Sequence, residues 1–321
     1  TIATWKSFAG ELQEAEDWIL YSPSVMYSVS LLIRLLSQPH DKVLTMNPMY
    51  DAFINVIKEN DRELLSHHLI KEEGTFKIDF DVFEKQAQES TLLLLCSPHN
   101  PTGRIWSDEE MHRMIEICKK YHVKIISDEI HMDIRIKDAK HHPLMKYYGE
   151  YKDIFTASSS SKTLNTPGLI GSYVIIPDEK IRDEFLGVTR RRDFLNSASI
   201  FGMYATMIGY TECDDYIDQL NEYIRGNMEL VENFIRDELK DFKFQRPEAT
   251  YLAWIDARDV PFTSDEIQDA LVNVGGVAIM KGEIYGENGA KYLRMNLGCP
   301  RSKIEKGLKR FKKAMDYLYN K

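Results

Sequence analysis

Cysteine is scarce: Cys96, Cys118, Cys213 and Cys299 are the only four in 321 residues, and no two form a C-x-x-C pair. Such wide spacing excludes the dense disulfide framework of small secreted domains and suits reduced thiols, so a cytoplasmic location is expected. Long apolar runs are missing too. Stretches such as Leu92 to Cys96 fall far short of the ~20 residues that a spanning helix needs, so no membrane partner is expected. The first ten residues carry no signal-peptide layout. Basic residues are outnumbered, 41 Lys and Arg against 50 Asp and Glu, and the formal net charge of −9 argues against nucleic acid as a partner. Glycine and proline are not in excess, and no internal repeat is visible. The one low-complexity stretch is Ser158 to Ser161. What is present is an ordinary globular composition, 43% hydrophobic and 28% charged, in a chain long enough for two domains.

Periodicity divides the chain. Helical spacing covers Ser24 to Ser37, Asp51 to Glu59, Asp79 to Gln88 and the stretch from Ser107 to about Tyr121, where Ser107 precedes three acidic residues as an N-cap. Between them lie short extended segments: Lys42 to Met46, Glu63 to His68, Thr91 to Cys96, Val123 to Ser127, Ile154 to Ala157 and Ser172 to Ile176. This alternation predicts an α/β domain with helices on both faces of a mostly parallel sheet. After about Asn196 the pattern changes. Long helices are expected over Ser197 to Tyr210 and Tyr216 to Leu239. Strands are then expected over Tyr251 to Asp256, Val277 to Met280 and Tyr292 to Asn296, with helices over Ser264 to Val274 and Ser302 to Tyr319. These predict a smaller α+β domain, with residues 1–213 forming the large domain and 214–321 the small one. The first residues, with Trp5, Phe8 and Leu12 at helical spacing, read as a helix entered partway.

Three motifs follow predicted strands, where ligands bind in open α/β sheets. Ser97-Pro-His-Asn-Pro-Thr-Gly103 is a rigid loop able to aim Asn100, although a plain turn uses similar residues. Ser127-Asp-Glu-Ile-His131 puts a carboxylate at a buried strand end, which is costly unless something positive meets it. Ser158-Ser-Ser-Ser-Lys162 sets small hydroxyls beside a lysine. That suits a phosphate next to a reactive amine, and equally a solvated turn.

Taken together, order and spacing resemble fold-type I enzymes of the pyridoxal-phosphate (PLP)-dependent aminotransferase class I/II superfamily over essentially the whole chain. The resemblance implies PLP held by Lys162 as a Schiff base, with Asp128 on the ring nitrogen, Asn100 on the ring hydroxyl and Ser159 on the phosphate. It further implies Tyr50 stacked on the ring and Arg294, in Leu293-Arg-Met-Asn296, gripping a substrate carboxylate. Ser22-Pro-Ser-Val-Met26 opens a helix, and Ser24, Val25 and Met26 match the helix N-terminus of the phosphate cup. Finer motifs are similar to the MalY/PatB cystathionine beta-lyase (C–S lyase) group: Pro23-Ser-Val25, Asp128-Glu-Ile-His-Met-Asp133, Thr250-Tyr-Leu-Ala-Trp254 and Asn296-Leu-Gly-Cys-Pro-Arg-Ser-Lys303. His131 stands where many aminotransferases carry a ring-hydroxyl-binding tyrosine. No arginine occurs between Thr163 and Tyr173, where many relatives carry a phosphate ligand.

This branch implies β-elimination from cystathionine or related cysteine S-conjugates to thiol, pyruvate and ammonia, with Lys162 as the base. The alternatives are an aminotransferase, or a PLP-fold binding or regulatory protein. The family also implies a homodimer and an N-terminal arm, which the sequence as given is expected to lack. His67-His68 and His141-His142 are not expected to bind metal, because neighbours on a strand point to opposite faces and no thiol or carboxylate completes a set. Of Arg190 to Arg192, one is expected to face substrate or phosphate.

Overall fold

The computed structural model describes residues 15–195 and 197–321, so the helix expected around Trp5, Phe8 and Leu12 lies outside the described residues. Strand β1 (Ile19–Ser22) leads into helix α1 (Val25–Leu36), whose start is set by Ser24: its backbone is extended and its side-chain oxygen accepts the Tyr27 amide at 3.1 Å. Strand β2 (Lys42–Asn47), helix α2 (Asp51–Lys58) and strand β3 (Glu63–His68) follow. A small hairpin, β4 (Ile70–Glu72) and β5 (Thr75–Lys77), turns through Glu73 and Gly74, both at positive φ. Asp79 then caps α3 (Phe80–Ala87) by accepting the Asp81 and Val82 amides. After β6 (Leu92–Cys96), Ser107 and Glu110 form a reciprocal capping box at the head of α4 (Asp108–Lys120). Strands β7 (Lys124–Asp128), β8 (Ile154–Ser158) and β9 (Ser172–Ile175) complete the main sheet.

That sheet has the order β1-β9-β8-β7-β6-β2-β3. The run from β8 to β3 is parallel throughout, and β9 runs antiparallel to both its neighbours. The near-continuous apolar reading of its strands has a direct cause. Alternate residues of one strand enter different cores: Leu93 and Leu95 of β6 pack with Phe83, Met111 and Met114 of α3 and α4, while Leu92 and Leu94 pack with Val29, Leu32 and Phe53 of α1 and α2. With both faces covered, a strand has no solvent side to make polar.

Helix α5 (Glu179–Leu186) joins the α1 face, and its Phe185 is fully buried there. Helix α6 (Ile200–Glu212), capped by Ser199, is separated by Cys213 from the long helix α7 (Asp214–Glu238), and the proposed boundary between the two domains falls at this junction. Beyond it, β10 (Leu252–Asp256), α8 (Ser264–Asp269), β11 (Met280–Lys281), β12 (Tyr292–Asn296) and α9 (Arg301–Tyr319) surround an antiparallel sheet of order β10-β12-β11. Its core joins Ile224, Met228 and Val231 of α7 to Leu308 and Phe311 of α9.

Two expectations need correction. The helix read over Ser264 to Val274 is α-helical only to Asp269 and continues as a π-helical turn, Ala270–Gly275, ended by left-handed Gly276. The strand read over Val277 to Met280 shrinks to Met280–Lys281, because the Val277 amide donates to the Leu271 carbonyl and so closes the turn instead of joining a ladder.

Candidate active site

Strands β2, β6, β7 and β8 are parallel, so their carboxyl ends meet along one edge of the sheet. Each carries one of the motifs: Asn47–Tyr50 after β2, Ser97–Gly103 after β6, Asp128–His131 at β7 and Ser159–Lys162 after β8. Together with the head of α1 and with β12, they enclose a cavity of about 580 Å³. All ten residues singled out in the sequence line it: Ser24, Val25, Met26, Tyr50, Asn100, Asp128, His131, Ser159, Lys162 and Arg294. A second cavity of about 440 Å³, between the β4–β5 hairpin and residues 243–248, contains none of them.

Asp128 is buried, and its Oδ1 accepts the Ile130 amide at 3.0 Å. No lysine or arginine forms an ion pair with it among the described residues. Burial pushes its carboxyl up to about 7 and neighbouring Glu129 adds to this, against the lowering effects of the Ile130 amide and the Lys162 charge. Beside it His131 is buried, with Nδ1 unpartnered and its ring edge-on to Tyr251 at 5.6 Å. Burial first, then the charges of Lys162 and Arg294, drive its pKa down to about 3, so the imidazole is neutral. Lys162 is half-buried and reaches the same space.

Val25 and Met26 belong to the first turn of α1, where amides have no partner within the helix, and both line the cavity. The Ser159 hydroxyl donates to the Gly171 carbonyl and accepts the Ser161 amide at 3.1 Å, which ties it into its own loop. Tyr50 stands at the N-terminus of α2, half-buried, with its phenol pKa raised mainly by burial. Asn100 receives Arg294 Nη1 on Oδ1 at 3.2 Å, while its own amide donates to Cys96 Sγ at 3.4 Å. Arg294 also lies 4.5 Å over the Tyr285 ring, with Nη2 on Met280 Sδ at 3.3 Å. Its guanidinium is thus held by Asn100, Tyr285 and Met280 in the cavity wall, and a guanidinium suits a carboxylate.

Sequence reasoning gave no individual role to Tyr251, Asn296, Ser161, Ile170 or Gly171, which also line the cavity. The first three lay inside quoted motifs and were legible there. Ile170 and Gly171 carried no signal, because the turn that returns them to the site is a tertiary feature. Arg190–Arg192 correct an expectation: they lie exposed on a π-helical turn, Arg192 pairs with Asp193, and none lines the cavity.

In chemical terms the cavity offers an amine, a carboxylate of elevated pKa facing it, a helix N-terminus for an anion and a guanidinium for a carboxylate. The chain is 32% identical to cystathionine beta-lyase PatB of Bacillus subtilis, over 97% of this chain and 83% of that protein. It is 36% identical to protein MalY of Escherichia coli, over 96% of this chain and 79% of the relative. Among solved structures, cystalysin from Treponema denticola, which contains pyridoxal 5'-phosphate, superposes with a TM-score of 0.90 at 28% identity, covering 99% of this chain and 82% of that one. The sequence pattern of aminotransferase class I and II matches residues 3–311, and the chain belongs to that family.

Proposed function

We propose that this chain is a PLP-dependent carbon–sulfur lyase acting on cystathionine or related cysteine S-conjugates. The observation that carries this reading is the meeting, in one cavity, of the Lys162 amine with a buried Asp128 that forms no ion pair among the described residues. A carboxylate in that state is stabilised by a protonated ring nitrogen, so the residues present fit the cofactor. Lys162 would hold PLP, Asp128 its ring nitrogen, Asn100 and His131 the ring hydroxyl side, and Tyr50 one ring face. Ser24, Val25, Met26 and Ser159 would surround the phosphate. The names of relatives such as cystathionine beta-lyase PatB support the lyase over the aminotransferase branch.

When bound, PLP supplies the electron sink for negative charge developing at the substrate α-carbon. Every other task falls to the chain. Arg294 receives the substrate carboxylate and fixes the α-carbon in the cavity, while Asn100 and Tyr285 hold the guanidinium in place. Lys162 Nζ takes the α-proton as general base. Asp128 keeps the proton on the ring nitrogen, and the neutral His131 adds no competing positive charge. Departure of the β-thiolate then leaves a product that hydrolyses to pyruvate and ammonia.

A second copy of the chain completes this reading. Ile200, Phe201, Met203, Tyr204 and Met207 leave exposed apolar side chains along α6, with Phe201 77% exposed. A patch of this kind marks an interface, and a homodimer would cover it. No helix among the described residues is long and apolar enough to cross a membrane. A cytoplasmic site of action goes with four free thiols.

The test is incubation of PLP-loaded protein with L-cystathionine, assaying pyruvate and thiol with and without an added keto acid. Release of both without keto acid supports the lyase. Amino transfer that requires the keto acid, without thiol, would favour the aminotransferase, and cofactor binding with neither product would favour a binding role.

A further inference from the structure

We propose that Asp133 is a positioning residue for Lys162, acting through the Thr163 hydroxyl and through helix α6. The proposal rests on the assignment of Lys162 as the cofactor lysine and goes beyond it to what holds that lysine in place. Asp133 closes the Asp128–Asp133 motif, yet it does not line the cavity.

It is 1% exposed, and no ion pair reaches it among the described residues. Its Oδ2 accepts two hydroxyls: Thr163 Oγ1 at 3.0 Å and Tyr210 Oη at 3.2 Å. Its main-chain carbonyl accepts Asn221 Nδ2 of α7 at 3.0 Å. Oδ1 is buried with no partner among the described residues. A buried carboxylate with one bare oxygen costs stability, on the order of 1–3 kcal/mol for an unsatisfied group, so packing alone does not account for it. What the carboxylate does achieve is convergence. Thr163 is the residue after Lys162 and is fully buried, so fixing its hydroxyl fixes the backbone from which the lysine springs.

Helix α6 supplies the other half of the clamp. Thr206 and Tyr210, one turn apart, face the lysine loop together. Thr206 Oγ1 meets Ser160 Oγ at 2.8 Å, two residues before Lys162, while Tyr210 meets Asp133. Burial, helped by Tyr173 and by Asp133 itself, holds the Tyr210 phenol well above its usual pKa, so it remains a donor. The helix comes close because of Gly202, where a Cβ would lie 2.5 Å from the Leu169 carbonyl oxygen. The loop bearing Lys162 is thus pinned on both sides of the lysine, at Ser160 and at Thr163. A long flexible side chain needs such a base, since displacement of a reacting group by about 1 Å can cost ~100-fold in rate.

Thr163→Val and Thr163→Ser decide the matter, with Asp133→Asn and Tyr210→Phe beside them. Two quantities are read on full-length protein: the rate at which added PLP becomes covalently attached in cofactor-free protein, followed by visible absorbance, and kcat and KM for L-cystathionine. Thr163→Val, which keeps shape and loses the hydroxyl, should slow attachment and lower kcat by about tenfold or more, with KM changed less than about twofold. Thr163→Ser should restore both rates, and Asp133→Asn and Tyr210→Phe should resemble the valine variant. Should Asp133→Asn fail to fold, the Thr163 pair still decides. Wild-type rates in a folded Thr163→Val, or equal losses in Ser and Val, would overturn the proposal. If the wild-type protein takes up no PLP at all, the functional reading itself is wrong, which is a separate result.

Discussion

Arg294 and Asn100 lie 194 residues apart in the chain, and the guanidinium of one donates to the amide oxygen of the other at 3.2 Å. The first belongs to the smaller antiparallel sheet and the second to the loop after strand β6 of the main sheet. Their meeting closes the cavity at the junction of the two sheets. Arg294 arrives pre-oriented: across the ladder it faces Trp254, and the Tyr285 ring beneath it packs edge-on against Trp254 at 5.5 Å.

Replacement of Arg294 by lysine keeps the charge and loses the planar fork. A charge-assisted bidentate contact is worth about 1.5–3 kcal/mol, so kcat/KM for L-cystathionine should fall roughly tenfold to 150-fold, mostly through KM. Steady-state kinetics on the folded variant would read this directly. An unchanged KM would remove Arg294 from substrate binding.

Lys162→Ala should abolish both the visible absorbance of covalently held PLP and pyruvate formation. Retention of turnover with the absorbance intact would refute the central assignment.

Asp128 gives a pH signature in the cofactor-free protein. Its folded pKa of about 7 stands above the ordinary value of 3.8, so the folded state holds a proton that the unfolded chain releases first. Its contribution is therefore full below about pH 4 and is lost as pH rises to 7, by at most roughly 4 kcal/mol. Asp128→Asn cannot ionise. In urea titrations it should match the wild type near pH 4 and exceed it in stability at pH 8. Equal pH profiles would mean that Asp128 is solvated, not buried.

Gly202→Ala tests the approach of α6 to the lysine loop. The new methyl would stand 2.5 Å from the Leu169 and 2.7 Å from the Ile170 carbonyl oxygens, backbone atoms that cannot swing away. Destabilisation of about 1–3 kcal/mol is expected from overpacking, less the helix-propensity gain of up to ~1 kcal/mol. Denaturant unfolding measures it, and a stabilised variant would contradict the close contact.

Phe201→Glu puts a charge on the exposed face of α6. Sedimentation velocity should show a dimer for the wild type and a monomer for the variant. A wild-type monomer at micromolar concentration would leave that face to another partner.

The sequence by itself determined six of the seven strands of the main sheet and the polar residues that follow them. Runs such as Leu92–Cys96 are apolar on both sides because both faces of the sheet are covered, and the residues just beyond them are reactive because strand ends open onto one edge. Local caps at Ser24 and Ser107 were legible for a similar reason: each acts within three residues of itself. The tertiary structure alone decided the rest. Tyr285 under Arg294, Gly171 beside Ser159, the contact of Gly202 with Leu169, and the convergence of Thr163 and Tyr210 on Asp133 join residues distant in the chain. No local pattern encodes them, because each depends on how separately formed elements pack: the second sheet against the first, and α6 against the loop after β8. Most of the residues proposed to hold cofactor were thus written in the strand-end motifs, while the parts that hold Arg294 and Lys162 in place came only with packing.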